Sequence, residues 1–325
     1  MSLVVLGKLA GIFAIIAVGW VAGRTRLLGP EAAGVLTTVA FSVFTPALLF
    51  RTMAGISVAS LPWTTLAAYY GPTLVLFAAG YLWQRLRKPS VVVAPSIRAV
   101  SLTFSNAVQL GIPVVVAIFG ADGLAVHIAI VSLQALVLLT TATVLAEIDL
   151  ARAGVGHGAG SVARMIGLTA RRSLIHPVVL PILAGLAFST TGLPIPAAID
   201  DVLVILGQAV VPVSLVTIGL TLQINGVTGV LRPAIAVSAA KLLVQPALVF
   251  ATAYYGFGLR GLTLTVTTMF AALPVGANAF LFADRYEPAG STTLRAETTA
   301  AIVISTSAFV VTGTAWLVVL THVTG

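Results

Sequence analysis

The sequence predicts an all-α integral membrane protein of ten transmembrane helices, arranged as two inverted five-helix repeats. The 325 residues are 59% apolar and only 8% charged, whereas a soluble domain carries about 25% charged residues. Apolar runs of the roughly 20 residues that cross a bilayer recur along the chain. A basic segment rich in Gly, 149–173, divides these runs into two sets of five.

Each apolar segment of spanning length is expected to form one helix across the membrane. The first segment is expected to be retained, because no small-residue cleavage site of a signal peptide follows a short apolar core. The fourth and ninth segments contain Pro and polar residues, so we expect broken helices there. Spans 1 to 10 are predicted at 4–23, 33–53, 62–84, 97–119, 123–147, 174–191, 197–222, 234–256, 261–283 and 297–320.

Prolines indicate that the two sets of five spans are repeats. They occur in spans 2, 3 and 4 and again in spans 7, 8 and 9. The pairs are Pro46 and Pro212, 166 positions apart, Pro72 and Pro246, 174 apart, and Pro113 and Pro274, 161 apart. Because five crossings is an odd number, the second repeat enters the membrane inverted. The predicted units are 1–148, the linker 149–173, and 174–325.

Positive charges predict the orientation. Of the 17 Lys and Arg residues, 13 fall in the loops after spans 1, 3, 5, 7 and 9. By the positive-inside rule, both termini face outside the cell membrane and the linker is cytoplasmic. These cations are spread singly between apolar runs, so the lipid bilayer is an expected partner and nucleic acid is not.

The break expected in span 4 lies in "SNAVQLGIPVVVAIFG". Pro113 lacks a backbone N–H and clashes with the preceding turn, and Gly111 leaves helical geometry cheaply. The freed backbone groups must be buried in protein or line a wet cavity. Asn106 and Gln109 lie just before the break. They either contact a substrate or cap the freed backbone.

Span 9 repeats this pattern in "AALPVGANAFLFA", with Pro274, Gly276 and Asn278. Half-helix N-termini carry partial positive charge, so two breaks that converge would favour an anionic group such as a carboxylate. Thr45 and Ser214 mark secondary kinks in spans 2 and 7. These two either line the flank of the cavity or bond back to their own helices.

Six segments together resemble the auxin efflux carrier family, which includes the plant PIN proteins and bacterial permeases described as malate or malonate carriers. The resemblance implies a fold related to the bile acid symporters, crossed spans 4 and 9, elevator-like motion and organic-anion substrates. By position, it makes Pro113 and Pro274 the crossover prolines and Asn106 the crossover asparagine of span 4. The segments are "FSVFTPALLFRTMAG", "NAVQLGIPVVVAIFG", "HPVVLPILAGLAF", "VVPVSLVTIGLTL", "KLLVQPALVF" and "LPVGANAFLFADRYE".

Ionisable residues inside the spans are few and costly. We expect Lys241 to pair with Glu147 or Asp149, and His127 and His176 to lie at the membrane interface near span ends. The centres of the spans contain no carboxylate. The residues therefore give no positive support for a sodium site and little for a proton relay, although backbone carbonyls at the breaks remain alternative ion ligands. No metal ligand set and no cofactor are predicted.

The predicted function is secondary transport of a small organic anion, such as a carboxylate or auxin-like acid, by alternating access around spans 4 and 9. A channel-like or uniporter pathway is the alternative, because a broken-helix site also suits facilitated diffusion. An enzyme is not expected, since the chain has no cysteine, no HExxH and no G-x-S-x-G. A homodimer is compatible with these observations.

Overall fold

The described part of the chain is helical almost throughout. A computed structural model describes residues 3–29, 31–55, 62–87, 91–153, 179–224, 230–287 and 293–324. Within these ranges, β-structure is limited to one isolated bridge. The α-helices are α1 (Leu3–Arg24), α2 (Ala32–Val39), α3 (Thr45–Ala54), α4 (Trp63–Leu86), α5 (Ala94–Thr103), α6 (Ile112–Gln134), α7 (Thr140–Arg152), α8 (Val179–Ser189), α9 (Ala197–Gln208), α10 (Val210–Ile224), α11 (Leu231–Ala239), α12 (Gln245–Ala251), α13 (Gly261–Ala272), α14 (Ala277–Tyr286) and α15 (Thr293–Thr324).

Among the described residues, six helical segments are long and apolar enough to cross a membrane, as a multi-pass membrane protein requires. One of them has 46 residues, about twice the length of one crossing, and Gly120 interrupts it with a φ of 67°. The apolar helices within predicted spans 1, 6 and 9 are shorter, so the count of ten spans stays a prediction. The six segments are Ala32–Ala54, Trp63–Leu86, Ala107–Arg152, Ala197–Thr217, Leu231–Gly256 and Thr293–Val323.

Three π-helical turns each end two residues before a proline. The prolines are Pro46, Pro113 and Pro246. Proline donates no hydrogen bond and its ring crowds the carbonyl four residues earlier, and a π-turn relieves both problems by widening the helix. The turns concerned are Ala40–Phe44, Ala107–Gly111 and Ala240–Val244, and two further π-turns, Ala135–Leu139 and Thr252–Gly256, have no such proline.

Glycines allow two close helix contacts, in which α1 packs on α10 and α3 packs on α8. A Cβ atom at Gly19 would clash with the carbonyl of Val216, and one at Gly185 would lie 2.6 Å from the carbonyl oxygen of Phe50. Small residues let membrane helices approach this closely. Gly19 and Gly185 are 166 positions apart, as are Phe50 and Val216. In each contact, a glycine from one half of the chain therefore meets a carbonyl from the other half. The two contacts are related by the same offset as Pro46 and Pro212.

The predicted linker, 149–173, begins inside a helix, because α7 continues to Arg152. From residue 154 onward, the linker lies outside the described residues. The division into three units therefore stays a prediction.

Candidate functional site

The chain leaves helical geometry in span 4 between α5 and the π-turn Ala107–Gly111. Phe104 is extended, with φ −82° and ψ 112°, and Asn106 precedes the π-turn. Gly111 at the end of the turn is tightly enclosed, since a Cβ atom there would lie 2.7 Å from Cδ1 of Leu273 and 2.8 Å from Cε1 of His127. The turn therefore has a glycine where a side chain from span 9 and one from span 5 press against it.

Span 9 breaks between α13 and α14. Leu273 is extended, with φ −60° and ψ 149°, and so is Gly276, with φ −84° and ψ 151°. Pro274 lies between them and has no N–H to donate. A Cβ atom at Gly276 would lie 2.8 Å from the carbonyl oxygen of Ser105. Glycine is therefore required here for close approach to the other break.

The two breaks bond to each other. Ser105 and Val275 face one another in an antiparallel bridge. The Asn106 N–H donates to the Pro274 carbonyl at 2.8 Å, and the Gly276 N–H donates to the Phe104 carbonyl at 2.9 Å. Unpaired backbone groups are costly within a bilayer, and each break supplies hydrogen-bond partners for backbone groups of the other.

Polar side chains from three other helices satisfy more of the freed backbone. The Gln134 Nε2 donates to the Ser105 carbonyl at 2.8 Å, and the Gln245 Nε2 donates to the Thr103 carbonyl at 3.1 Å. The Ser305 Oγ accepts from the Val275 N–H at 3.1 Å. None of these three residues was predicted to belong to the site. The signal available in the sequence was an amide or hydroxyl residue inside an otherwise apolar segment.

Lys241 is fully buried against the breaks. Its Nζ donates to the Ala271 carbonyl at 2.7 Å and to the Ser105 Oγ at 3.0 Å. The Nζ of Lys241 therefore lies at the C-terminal end of α13, where the helix dipole is negative.

The expected pairing of Lys241 with Glu147 or Asp149 is wrong. Asp149 instead accepts from the Tyr81 hydroxyl at 2.8 Å and forms an ion pair with Arg85 at 3.2 Å. Glu147 accepts from the Tyr286 hydroxyl at 3.1 Å. The Nζ of Lys241 is engaged at the break instead, by the Ser105 hydroxyl and the Ala271 carbonyl.

His127 is also at the break and not at the membrane interface, so that expectation is wrong. It is fully buried, and its Nε2 lies 2.8 Å from the carbonyl oxygen of Ala107, the first residue of the π-turn. Its ring lies 4.7 Å from that of Phe270, centroid to centroid. His176, the other histidine of that expectation, lies outside the described residues.

The predicted amides Asn106, Gln109 and Asn278 are half-buried beside the paired breaks. The Asn106 side chain makes no capping bond to the π-turn that follows it, and α14 begins without a side-chain cap. Within the described ranges, no hydrogen bond joins any of the three amide groups to the rest of the chain. The freed backbone is bonded by other residues, which leaves these amides available to a ligand.

Thr45 and Ser214 are buried on helices that flank the site. The helix of Ser214, α10, packs on the π-turn Ala107–Gly111, and the helix of Thr45, α3, packs on α6. The two side chains are thus placed next to the breaks by their helices, and a contact of either with the broken backbone stays a prediction.

The family of membrane transport proteins matches residues 4–317. The chain belongs to this family. It is the auxin efflux carrier family, whose motifs the sequence resembles. The prediction of a transporter is therefore confirmed at the level of the family, and a transporter family agrees with the expectation that the chain is not an enzyme.

Two relatives carry transporter names. A protein of Methanothermobacter thermautotrophicus named "Uncharacterized transporter" is 26% identical over 270 residues, which cover 81% of this chain and 82% of the relative. A protein of Rhizobium meliloti named "Putative malonate transporter" is 24% identical over 314 residues, which cover 96% of this chain and 95% of the relative.

Proposed function

We propose that this transporter is a secondary carrier that moves a small organic anion through the paired breaks by elevator-like alternating access. The observation that carries the proposal is that one set of polar side chains bonds the freed backbone at the breaks and another set does not. Gln134, Gln245, Lys241 and Ser305 bond the freed backbone, while the three predicted amides beside it have no partner in the described chain.

An anion suits this site for electrostatic reasons. The π-turn and α14 both start at the breaks, and their first N–H groups point away from the helix with partial positive charge. The Lys241 side chain lies behind them, where its Nζ donates to the Ala271 carbonyl. A carboxylate is held by such N–H groups and by amide donors of the kind that Asn106 and Asn278 supply.

The buried carboxylates of the described residues do not supply negative charge at the breaks. Each of the four has a donor elsewhere in the structure. Tyr286 bonds Glu147, Arg85 and Tyr81 bond Asp149, Arg295 bonds Glu287, and Arg98 bonds Glu297. Negative charge at the breaks would therefore come from the cargo, and malonate is the first candidate because a relative that aligns over 96% of this chain carries that name.

The packing of the helices supports an elevator. In one group, α1 packs on α10 and α3 packs on α8 and α9; in the other, α4 packs on α5, α13 packs on α12 and α15, and α14 packs on α5. The paired breaks lie where the groups touch, because α10 contacts the π-turn Ala107–Gly111. The exchange of partners between Gly19 and Gly185 supports inverted repeats, which in many carriers enclose a central site and move against each other.

The test is uptake and counterflow of radiolabelled malonate in proteoliposomes. We expect Asn106→Ala and Asn278→Ala each to lower uptake at least tenfold, because each removes a donor to the carboxylate. Gln208→Ala is the control, since it removes an exposed amide at the end of α9, and it should leave uptake unchanged. Wild-type uptake in both Asn variants would refute the site, and uptake without counterflow would refute the carrier in favour of a channel.

A further inference from the structure

We propose that His127 takes up a proton when an anion occupies the paired breaks, so that this transporter couples its cargo to protons. The inference rests on the proposed function, because it assigns a coupling residue to the same site. His127 does not contact the cargo in this scheme. It acts on the cargo through the π-turn that begins beside Asn106.

The tautomer of His127 follows from its partner. Nε2 lies 2.8 Å from the Ala107 carbonyl oxygen, and a carbonyl oxygen can only accept a hydrogen bond. Nε2 therefore carries the proton. In the neutral ring, Nδ1 is then a bare acceptor, and it is buried without a hydrogen-bond partner among the residues that the structure describes.

An unpartnered buried acceptor in a native structure requires an explanation. Nδ1 belongs to a side chain with no exposed surface, so bulk water does not satisfy it. A proton on Nδ1 would convert the ring to an imidazolium and keep the existing bond from Nε2 to Ala107. The geometry thus allows His127 to change its charge without losing its hold on the π-turn.

The ring is close enough to the turn for that charge to matter. Gly111 ends the π-turn directly against the imidazole, where a Cβ atom would lie 2.8 Å from Cε1 and 2.9 Å from Nε2. Phe270 of α13 covers the ring from the side of span 9. An imidazolium here would increase the positive potential at the start of the π-turn, where the anion is proposed to bind.

Few other titratable groups face His127. Of the helices packed on α6, α13 and α10 carry none. On α4, the ring of Tyr69 lies 4.9 Å from that of Phe270, and the Tyr70 hydroxyl bonds the Ile130 carbonyl. Lys241 reaches the break at Ser105 and Ala271. The remaining charged residues of these helices are Lys8 and Arg24 on α1, Arg51 on α3, which is paired with Asp200, Arg85 on α4, which is paired with Asp149, and Asp122 on α6 itself.

The sign of the coupling follows from these charges. In the empty site, burial opposes a positive charge on the imidazole. A bound carboxylate reverses this balance, so binding an anion favours the imidazolium. By linkage, a proton that is taken up on binding makes the affinity rise as pH falls, by about tenfold per pH unit where the coupling is complete.

The experiment measures malonate binding to the purified full-length protein between about pH 5 and pH 8. His127→Gln keeps a side-chain amide that can donate to Ala107 but cannot titrate. His322→Gln is the matched control, because His322 is exposed on α15 and bonds only the Val318 carbonyl of its own helix. Malonate's own ionisation affects all three proteins equally, so the difference between their pH profiles reports on the protein.

We expect wild type and His322→Gln to share a steep pH dependence and His127→Gln to lose up to about tenfold of it per pH unit. A pH-indicator dye provides a second readout, with net proton uptake when wild type binds fully ionised malonate. An unchanged profile in His127→Gln, or binding by wild type without proton uptake, would overturn the inference and leave the proposed function standing. Absence of malonate binding at every pH would instead overturn the proposed function.

Discussion

The break in span 4 leads into a widened π-turn, whereas the break in span 9 leads directly into α14. Neutral side chains hold the first, since Gln134 and Gln245 donate to its carbonyls and His127 donates to the turn that follows. A lysine holds the second, since the Lys241 Nζ donates to the Ala271 carbonyl. Both breaks nevertheless contain the same residue types, Pro, Gly and Asn, in a short stretch.

This difference shows what a motif of Pro, Gly and Asn specifies. The motif ends a helix and starts another, because those events depend on local backbone chemistry. It does not specify which groups compensate the freed carbonyls. Those groups come from other helices, so two similar motifs acquire hydrogen-bond donors of different chemistry, amides and an imidazole at one and a lysine at the other.

The largest expected effect comes from the glycine at which the breaks touch. Gly276→Ala would place a Cβ atom 2.8 Å from the backbone oxygen of Ser105, and the bridge would have to separate. We expect a loss of about 2–3 kcal/mol in the free energy of unfolding, measured by denaturation in detergent, together with loss of transport.

Two other glycines calibrate this result. Gly111→Ala meets side-chain atoms of Leu273 and His127, which can shift, so its expected cost is about 1 kcal/mol. Gly71→Ala has no atom within 4 Å and should be neutral. Equal losses at Gly276 and Gly111 would show that the backbone contact between the breaks is no stiffer than the side-chain contact.

The next largest effect on the free energy of unfolding comes from Lys241, and Gln134 is its comparison. Lys241→Met leaves the Ala271 carbonyl without its donor, at an expected cost of about 1–2 kcal/mol, since the loss of the bond is partly offset by removal of a buried charge. Gln134→Leu removes one neutral bond to Ser105, at about 0.6 kcal/mol. The unfolding free energy of each variant gives the comparison, and an equal cost for both would mean that the charge of Lys241 adds nothing to the bond.

The smallest expected effect is on the asparagines. Asn106→Ala and Asn278→Ala should each change the free energy of unfolding without ligand by less than about 0.5 kcal/mol, because neither amide bonds the described chain. A loss of about 1 kcal/mol, typical of a removed helix cap, would assign the asparagines to the support of the backbone. The same denaturation assay serves for both, with Gln208→Ala as the control.

Much of the fold could be predicted because the evidence for it is local. Composition predicts a membrane protein, and the described residues are helical with six segments long enough to span a bilayer. Prolines predict the interruptions well, as the π-turns before Pro46, Pro113 and Pro246 show. The placement of the breaks in spans 4 and 9 required only Pro113, Pro274 and the glycines beside them.

The supports of the site could not be predicted in the same way. His127 lies 20 positions from its partner Ala107, and Lys241 lies 136 positions from its partner Ser105. Judged by position along its own span, His127 looked like a residue near a membrane surface and Lys241 like the partner of a carboxylate. Their burial depends on which helices pack around them, and the hydrophobic pattern of a single span contains no such information.

The sequence by itself therefore determined the membrane class, the family, the two breaks and the amides beside them. These follow from residue chemistry acting over a few positions, together with motifs that appear in order along the chain. Only the tertiary structure decided that the breaks bond to each other through Asn106 and Gly276, and that Lys241 and His127 lie behind them. The reason is physical, since a freed carbonyl inside a membrane takes its donor from whichever helix packs against it.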